Sequence, residues 1–158
     1  AGAAQIIAVD PQPHRREMAA QLGATDTLDP QAVDVPAAID RSTGGGVDHA
    51  IEAVGLSATV MDAFRALRPG GKATVLGMLA PGDDPALPGR LLRQGRTISG
   101  TVMGSVRTRA DIPRYAELVL RGLLYADELA TAHRPLDHIA EALALAQARH
   151  GARTMVTF

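Results

Sequence analysis

An aspartate follows an apolar run near the start of the chain, where its carboxylate could accept hydrogen bonds from a diol. The run covers residues 6–9, the acid is Asp10, and a stretch with helical character follows and ends at Gly23. This order is typical of the second strand of a dinucleotide-binding unit, whose acid contacts the ribose hydroxyls about 20 residues after a G-x-G-x-x-G turn. Nine residues precede Asp10, so we expect the first strand and the glycine loop to lie upstream of Ala1.

The composition limits the classes to which the chain can belong. With 158 residues and 46% hydrophobic content, the chain can bury a core. A net charge of −1 creates no basic field, so we expect neither nucleic acid nor a membrane surface as a partner. The chain has no cysteine, which excludes disulfides and cysteine-based sites within it and is compatible with a cytoplasmic location.

Hydrophobic patterning predicts strands that alternate with helices over the first hundred residues. The predicted strands cover residues 5–9, 25–28, 47–54, 72–76 and 97–103. The helices between them begin at Pro13, near Val33 and at Ser57. We expect Ser57 to act as the N-cap of its helix, which runs through Leu67 and stops at residues 69–71. This alternation predicts an α/β fold with an incomplete, Rossmann-like, doubly wound parallel sheet and helices on both faces.

The pattern changes from Gly104 onward. Two helices capped by Asp111 and Asp137 are predicted there, followed by a terminal strand over residues 154–158. We therefore expect two parts, a partial nucleotide-binding domain over residues 1–103 and a C-terminal tail over residues 104–158.

Six landmarks in this order resemble the C-terminal part of the medium-chain, zinc-dependent alcohol dehydrogenases, including their glutathione- or mycothiol-linked formaldehyde relatives. They are residues 6–10, 22–26, 47–55, 67–72, 95–100 and 151–158. The resemblance covers nearly the whole chain and implies NAD as the cofactor of residues 1–103, with a tail that returns toward a catalytic domain. It also implies that the zinc ligands lie before Ala1, so no catalytic or metal-binding residue is expected in this chain. Its scattered histidines suggest no zinc site; they are His14, His49, His133, His138 and His150.

Ten residues are candidates for holding NAD. Asp10 would accept hydrogen bonds from the adenosine ribose and repel the 2′-phosphate of NADP. The resemblance places Arg15 near the same ribose and Arg153 against the pyrophosphate, which suits a guanidinium. It also places backbone groups of Thr101 and Met103 at the nicotinamide carboxamide. Five further residues follow strand ends, and the resemblance implies that they line the adenine and nicotinamide parts of the pocket; they are Val54, Gly55, Leu76, Gly77 and Met78.

Each candidate also has an ordinary structural interpretation. Asp10 could cap the following helix, Arg15 and Arg153 could be solvated surface arginines, and the glycines could be simple turn residues. Thr101 and Met103 could belong to an ordinary strand end. These alternatives remain open from the sequence.

The leading functional hypothesis is that the chain is the NAD-binding portion of a zinc-dependent alcohol or aldehyde dehydrogenase. Such an enzyme transfers hydride between an alcohol and NAD. We expect the chain alone to be inactive. A stand-alone, non-catalytic nucleotide-binding module is the alternative from another class. A methyltransferase is disfavoured by the landmarks at Val54, Gly55 and Arg153. A zinc-free quinone reductase of the same superfamily is disfavoured by Asp10. By resemblance, a homo-oligomer is a possible assembly, with residues 85–87 extending the sheet across a two-fold axis.

Overall fold

The computed structural model describes residues 2–148 and 151–158, which divide into two compact units. Unit 1 comprises the described part of residues 1–29 and 107–158, and unit 2 comprises residues 30–106. The strands are β1 Ile7–Val9, β2 Asp26–Leu28, β3 Val47–Glu52, β4 Leu67–Val75, β5 Thr97–Gly100, β6 Ala130–Pro135 and β7 Arg153–Thr157. The α-helices are α1 Pro13–Gln21, α2 Val35–Thr43, α3 Ser57–Arg65, α4 Gly89–Leu92, α5 Thr108–Leu120 and α6 Ile139–Gln147.

Every strand pair in the described residues is parallel. In unit 1, β1 pairs with β2 and β6 pairs with β7; in unit 2, the order is β3, β4, β5. A helix crosses between the paired strands in each case, as parallel pairing requires. The predicted α/β class with parallel sheets and helices is confirmed, and the hydrogen bonds group the strands into three sheets.

The core of unit 2 lies between α3 and the sheet. Phe64 on α3 and Ala73 on β4 are fully buried and pack in one cluster with Leu67 and Leu91. Val60 lies one helical turn before Phe64 and is also buried, which gives α3 the apolar stripe of an amphipathic helix. Burial of a side chain of this size stabilises the fold by roughly 1.5–3 kcal/mol.

The start of α3 differs from the prediction. Ser57 was expected to be the N-cap, but Leu56 holds that position and Ser57 is the first helical residue. The backbone N–H of Ser57 instead donates to Oδ2 of Asp83 at 3.0 Å. Hydrogen bonds from the Ser57 hydroxyl and backbone lower the pKa of Asp83. An acid from a distant turn therefore satisfies the helix start that a local cap was expected to satisfy.

Strand β4 begins five residues before the predicted start at Lys72. Leu67, predicted as the last apolar residue of the helix, pairs with Val47, and the next pairing joins Lys72 to His49. Residues 68–71 therefore form a bulge opposite Asp48. The guanidinium of Arg68 lies 2.6 Å from the Asp48 carboxylate and lowers its pKa. Proline and glycine in this segment interrupt the hydrogen-bond ladder and mark the bulge, whereas the sequence suggested only a helix stop.

The tail also differs from the prediction. The expectation of two helices and one strand omitted β6, which pairs with β7. Helix α5 begins three residues before Asp111, whose carboxylate accepts the backbone N–H of Arg107. Asp137 lies in a short 3₁₀ turn before α6, and no side-chain hydrogen bond caps that turn. The division of the chain at residue 103 stays a prediction.

None of the helices that the structure describes combines the length and the hydropathy that crossing a bilayer requires.

The two phenylalanines provide a matched test of the unit 2 core. Phe64 is 0% exposed and Phe158 is fully exposed. We expect Phe64→Ala to lower the free energy of unfolding by about 3–5 kcal/mol, because the truncation leaves a cavity. Phe158→Ala should change it by less than about 0.5 kcal/mol. Urea denaturation measures both values, and similar losses at the two positions would contradict the described core.

Candidate functional site

Asp10 lies directly after β1, at its carboxyl end. Its backbone N–H donates to the Leu28 carbonyl at 3.2 Å, which continues the pairing with β2. Its Oδ1 accepts the Gln12 N–H at 2.8 Å, and its Oδ2 lies 3.8 Å from Nη1 of Arg15. One carboxylate oxygen therefore forms the turn into α1, as in the local interpretation of this acid. The other oxygen faces a cation and is partly open to solvent.

Arg15 and Arg153 line one cavity in unit 1. The cavity has a volume of about 370 Å³ and is otherwise formed mainly by α6 and the start of β7. Nη2 of Arg15 donates to the Gly151 carbonyl at 3.4 Å, which holds the guanidinium at the cavity wall. Arg153 lines the same cavity, and a guanidinium group suits an anion with several oxygen atoms. The structure therefore brings together three predicted residues, Asp10, Arg15 and Arg153.

The loops after β3 and β4 meet in unit 2. The backbone N–H groups of Leu76 and Gly77 both donate to the Glu52 carbonyl, at 2.7 and 3.2 Å. A Cβ added at Gly77 would lie 2.5 Å from the Cα of Gly55, and one added at Gly55 would lie 2.5 Å from the Met78 carbonyl oxygen. Gly55 also has a φ of +86°, which favours glycine. Five predicted residues thus form one cluster; they are Val54, Gly55, Leu76, Gly77 and Met78.

Glu52 belongs to this cluster, although the sequence suggested no role for it. It is 3% exposed and is the one buried charged residue among those described. Its Oε1 accepts the N–H groups of Val54 and Gly55, each at 2.8 Å, and the Thr59 hydroxyl at 2.7 Å. The available signal was an acid directly after the apolar pair Ala50 and Ile51 and three residues before a glycine, because an acid buried in such a place needs nearby donors.

Thr101 and Met103 lie at the end of β5 with an unusual backbone. The N–H of Thr101 donates to the Val75 carbonyl at 3.1 Å, and its hydroxyl lies 2.7 Å from that of Ser105. Met103, Gly104 and Ser105 have φ values of +48°, +67° and +56°, a region that costs non-glycine residues about 1–3 kcal/mol each. The prediction that β5 continues to Met103 is wrong: the strand ends at Gly100, and Met103 belongs to the left-handed turn that follows.

A second cavity lies beside this turn in unit 2. Its volume is about 300 Å³, and it is lined by His49, Ile51, Thr74, Leu76, Thr101 and Gly104. Two predicted residues, Leu76 and Thr101, therefore share one concave surface. The Met103 side chain is 83% exposed and does not line it. The ten predicted residues thus fall into two sets, three in unit 1 and seven in unit 2.

No three metal-ligating side chains come together in the part of the chain that the structure describes. Four of the five histidines belong to the described residues, and His150 lies outside them. The described residues therefore present no zinc ligand set. Arg15 can donate hydrogen bonds to an anion, and the Asp10 carboxylate can accept one from a hydroxyl group.

A family profile described as "Zinc-binding dehydrogenase" matches residues 1–121. The chain belongs to this family. The resemblance inferred from the six landmarks is therefore confirmed.

Individual relatives agree with this assignment. The chain is 34% identical to "Alcohol dehydrogenase-like 2" from Arabidopsis thaliana, over 91% of this chain and 38% of the relative. The crystal structure of an "Alcohol dehydrogenase zinc-binding domain protein" from Burkholderia ambifaria matches with a TM-score of 0.95 and 35% identity, over 100% of this chain and 43% of that one. A "putative zinc-binding dehydrogenase" from Sinorhizobium meliloti, bound to NADP, matches with a TM-score of 0.87 and 27% identity, over 100% and 46%. The chain thus spans about two fifths of the length of the proteins it matches.

Two glycines provide a test of the contact between the loops. We expect Gly77→Ala to lower the free energy of unfolding by about 1–3 kcal/mol, because the new methyl group would overlap the backbone of Gly55. Gly100→Ala is the control, since a Cβ there meets no atom within 4 Å, and its effect should stay within about 0.5 kcal/mol. Thermal and urea denaturation measure both. A neutral Gly77→Ala would contradict the close approach of the loops.

Proposed function

We propose that the chain is the coenzyme-binding part of a zinc-dependent alcohol or aldehyde dehydrogenase and that its coenzyme is NAD. The observation that carries this proposal is the arrangement in unit 1. An acid lies at the carboxyl end of a parallel strand, beside an arginine that shares a cavity with a second arginine. Ligands of open α/β sheets bind at the carboxyl ends of the strands, and family membership favours a dinucleotide there.

The residues present fit the chemistry of NAD. Oδ2 of Asp10 can accept a hydrogen bond from a ribose hydroxyl, and Arg15 and Arg153 can neutralise the pyrophosphate. In unit 2, Gly55 and Gly77 allow the two loops to touch, and the exposed side chains of Val54, Leu76 and Met78 offer apolar contact to a flat ligand. Backbone groups of Thr101 and Met103 would orient the carboxamide. NAD, when bound, accepts a hydride from the alcohol, and these residues bind it and fix its orientation.

The proposal assigns the remaining chemistry to residues outside this chain. No zinc ligand set occurs in the described residues, so no step is assigned to zinc here. A nucleotide-binding domain up to residue 103 and a tail after it remain part of this proposal.

An alcohol or aldehyde is the proposed small-molecule substrate, because one relative of the chain is an alcohol dehydrogenase-like protein. A cytoplasmic location is proposed because the chain lacks cysteine. A homo-oligomer is also proposed, on the resemblance of residues 85–87 to a segment that extends the sheet in dimeric relatives.

Cofactor preference tests the role of Asp10. In the full-length protein, we expect Asp10→Ala to weaken NAD binding by roughly tenfold, because a charge-assisted hydrogen bond to the ribose is lost. The affinity for NADP should stay equal or rise, because the repulsion of the 2′-phosphate is removed. Fluorescence titration with each coenzyme measures both constants. Glu17→Gln, which removes the same charge from the exposed surface of α1, is the control and should change neither constant. An unaltered NAD to NADP ratio in Asp10→Ala would refute this role.

Activity separates a dehydrogenase portion from a stand-alone module. We expect the purified 158-residue chain to oxidise no alcohol with NAD, because it lacks a zinc ligand set in its described residues, whereas the full-length protein does so. Formation of NADH at 340 nm measures turnover, with a panel of primary alcohols. Activity in the isolated chain would contradict the proposal. Binding of NAD by a full-length protein without any activity would favour the module, and binding of S-adenosylmethionine in place of NAD would favour a methyltransferase.

A further inference from the structure

We infer that Glu52 is a positioning residue for coenzyme binding, which acts by holding two loops in the geometry that NAD requires. The two cofactor loops are residues 53–55, after β3, and residues 76–78, after β4. This inference rests on the proposed function, because the loops matter to binding only if the ligand is a dinucleotide.

The Glu52 side chain fixes the first cofactor loop. Its Oε1 accepts two consecutive backbone N–H groups, those of Val54 and Gly55, each at 2.8 Å. The Thr59 hydroxyl donates to the same oxygen at 2.7 Å and ties it to the first turn of α3. One oxygen that accepts three donors fixes the backbone of the loop at two consecutive residues and joins it to α3.

The Glu52 main chain fixes the second cofactor loop. Its carbonyl oxygen accepts the N–H groups of Leu76 and Gly77, at 2.7 and 3.2 Å. A Cβ at Gly77 would lie 2.6 Å from Oε2 of the Glu52 side chain. One residue therefore contacts both loops, through its side chain on one and through its backbone on the other.

Each cofactor loop is hydrogen-bonded on the side that faces Glu52 and is exposed to solvent on the opposite side. Glu52 and Gly55 are buried, whereas Val54 is 64% exposed and Met78 is 91% exposed. The inner hydrogen bonds therefore set the positions of backbone and side chains that face solvent. Oε2 of Glu52 is buried and accepts no hydrogen bond from the described residues, so the loop-holding function depends on Oε1.

This dependence on Oε1 predicts which substitutions preserve binding. Glu52→Gln retains a carbonyl oxygen at the Oε1 position. It replaces the unpaired Oε2 by an amide NH2 group. Glu52→Asp retains the charge but withdraws the oxygen by one methylene from the two N–H groups. Glu52→Ala removes the acceptor entirely and leaves both N–H groups of the loop unsatisfied. A positioning role therefore ranks Gln above Asp and Ala, whereas a role for the charge itself ranks Asp above Gln.

The test measures NAD binding and steady-state kinetics in the full-length protein. We expect the dissociation constant and KM for NAD to rise by about tenfold or more in Glu52→Ala and Glu52→Asp, and to stay within about threefold of the unaltered protein in Glu52→Gln. The KM for the alcohol, measured at saturating NAD, should not change. Phe64→Leu is the stability control, because Phe64 lies in the core of the same unit; it should lower Tm and leave the affinity for NAD unchanged.

Several outcomes would overturn the inference. An unchanged affinity for NAD in a folded Glu52→Asp variant would contradict it. An equal loss of NAD affinity in Glu52→Gln and Glu52→Ala would also contradict it. If Glu52→Ala fails to fold, the comparison of Gln with Asp decides the question by itself. Absence of NAD binding by the unsubstituted full-length protein would instead refute the proposed function, so the two failures are distinguishable.

Discussion

The parallel hydrogen bonding of β3, β4 and β5 is the constraint on which unit 2 depends. Parallel pairing brings the carboxyl ends of neighbouring strands to the same edge of the sheet, and it requires a long crossover between them. Helix α3 provides the crossover from β3 to β4 and buries Phe64 against the sheet. The same pairing places the loops after β3 and β4 next to each other. The candidate site in this unit is therefore a direct result of how its strands pair.

The backbone alone does not determine how those loops lie, because a loop at a strand end has N–H groups that the sheet does not use. The side chain of Glu52 determines the position of the first of these loops. A buried carboxylate is costly unless donors surround it, and its Oε1 accepts the N–H groups of Val54 and Gly55 and the Thr59 hydroxyl. The loop is therefore drawn back over the strand end. Glycine at 55 and at 77 allows the two backbones to touch, so charge and the absence of side chains act together.

The sequence predicted the elements whose signals are local. The runs at residues 5–9 and 47–54 predicted β1 and β3, Pro13 predicted the start of α1, and the α/β class followed from the alternation of strands and helices. Features that depend on distant partners were not predictable in this way. Residues 130–135 are mostly polar or small and end in proline, and they form β6 only because β7 supplies a parallel partner 20 or so residues later. The acceptor for the Ser57 N–H comes from Asp83, in another turn of the chain.

No strand pair in the described residues is antiparallel, and parallel pairing slows folding. A hairpin forms after a short loop closes, but none of these strands can pair across a tight turn: Ile7 pairs with Asp26, Val47 with Leu67 and Ala130 with Arg153. Each pairing must wait for a crossover helix to form and for a long loop to close, which makes such topologies slow. Unpaired strand edges stay exposed during that delay. Exposed edges of this kind can pair with another chain, so a slowly folding parallel topology favours aggregation.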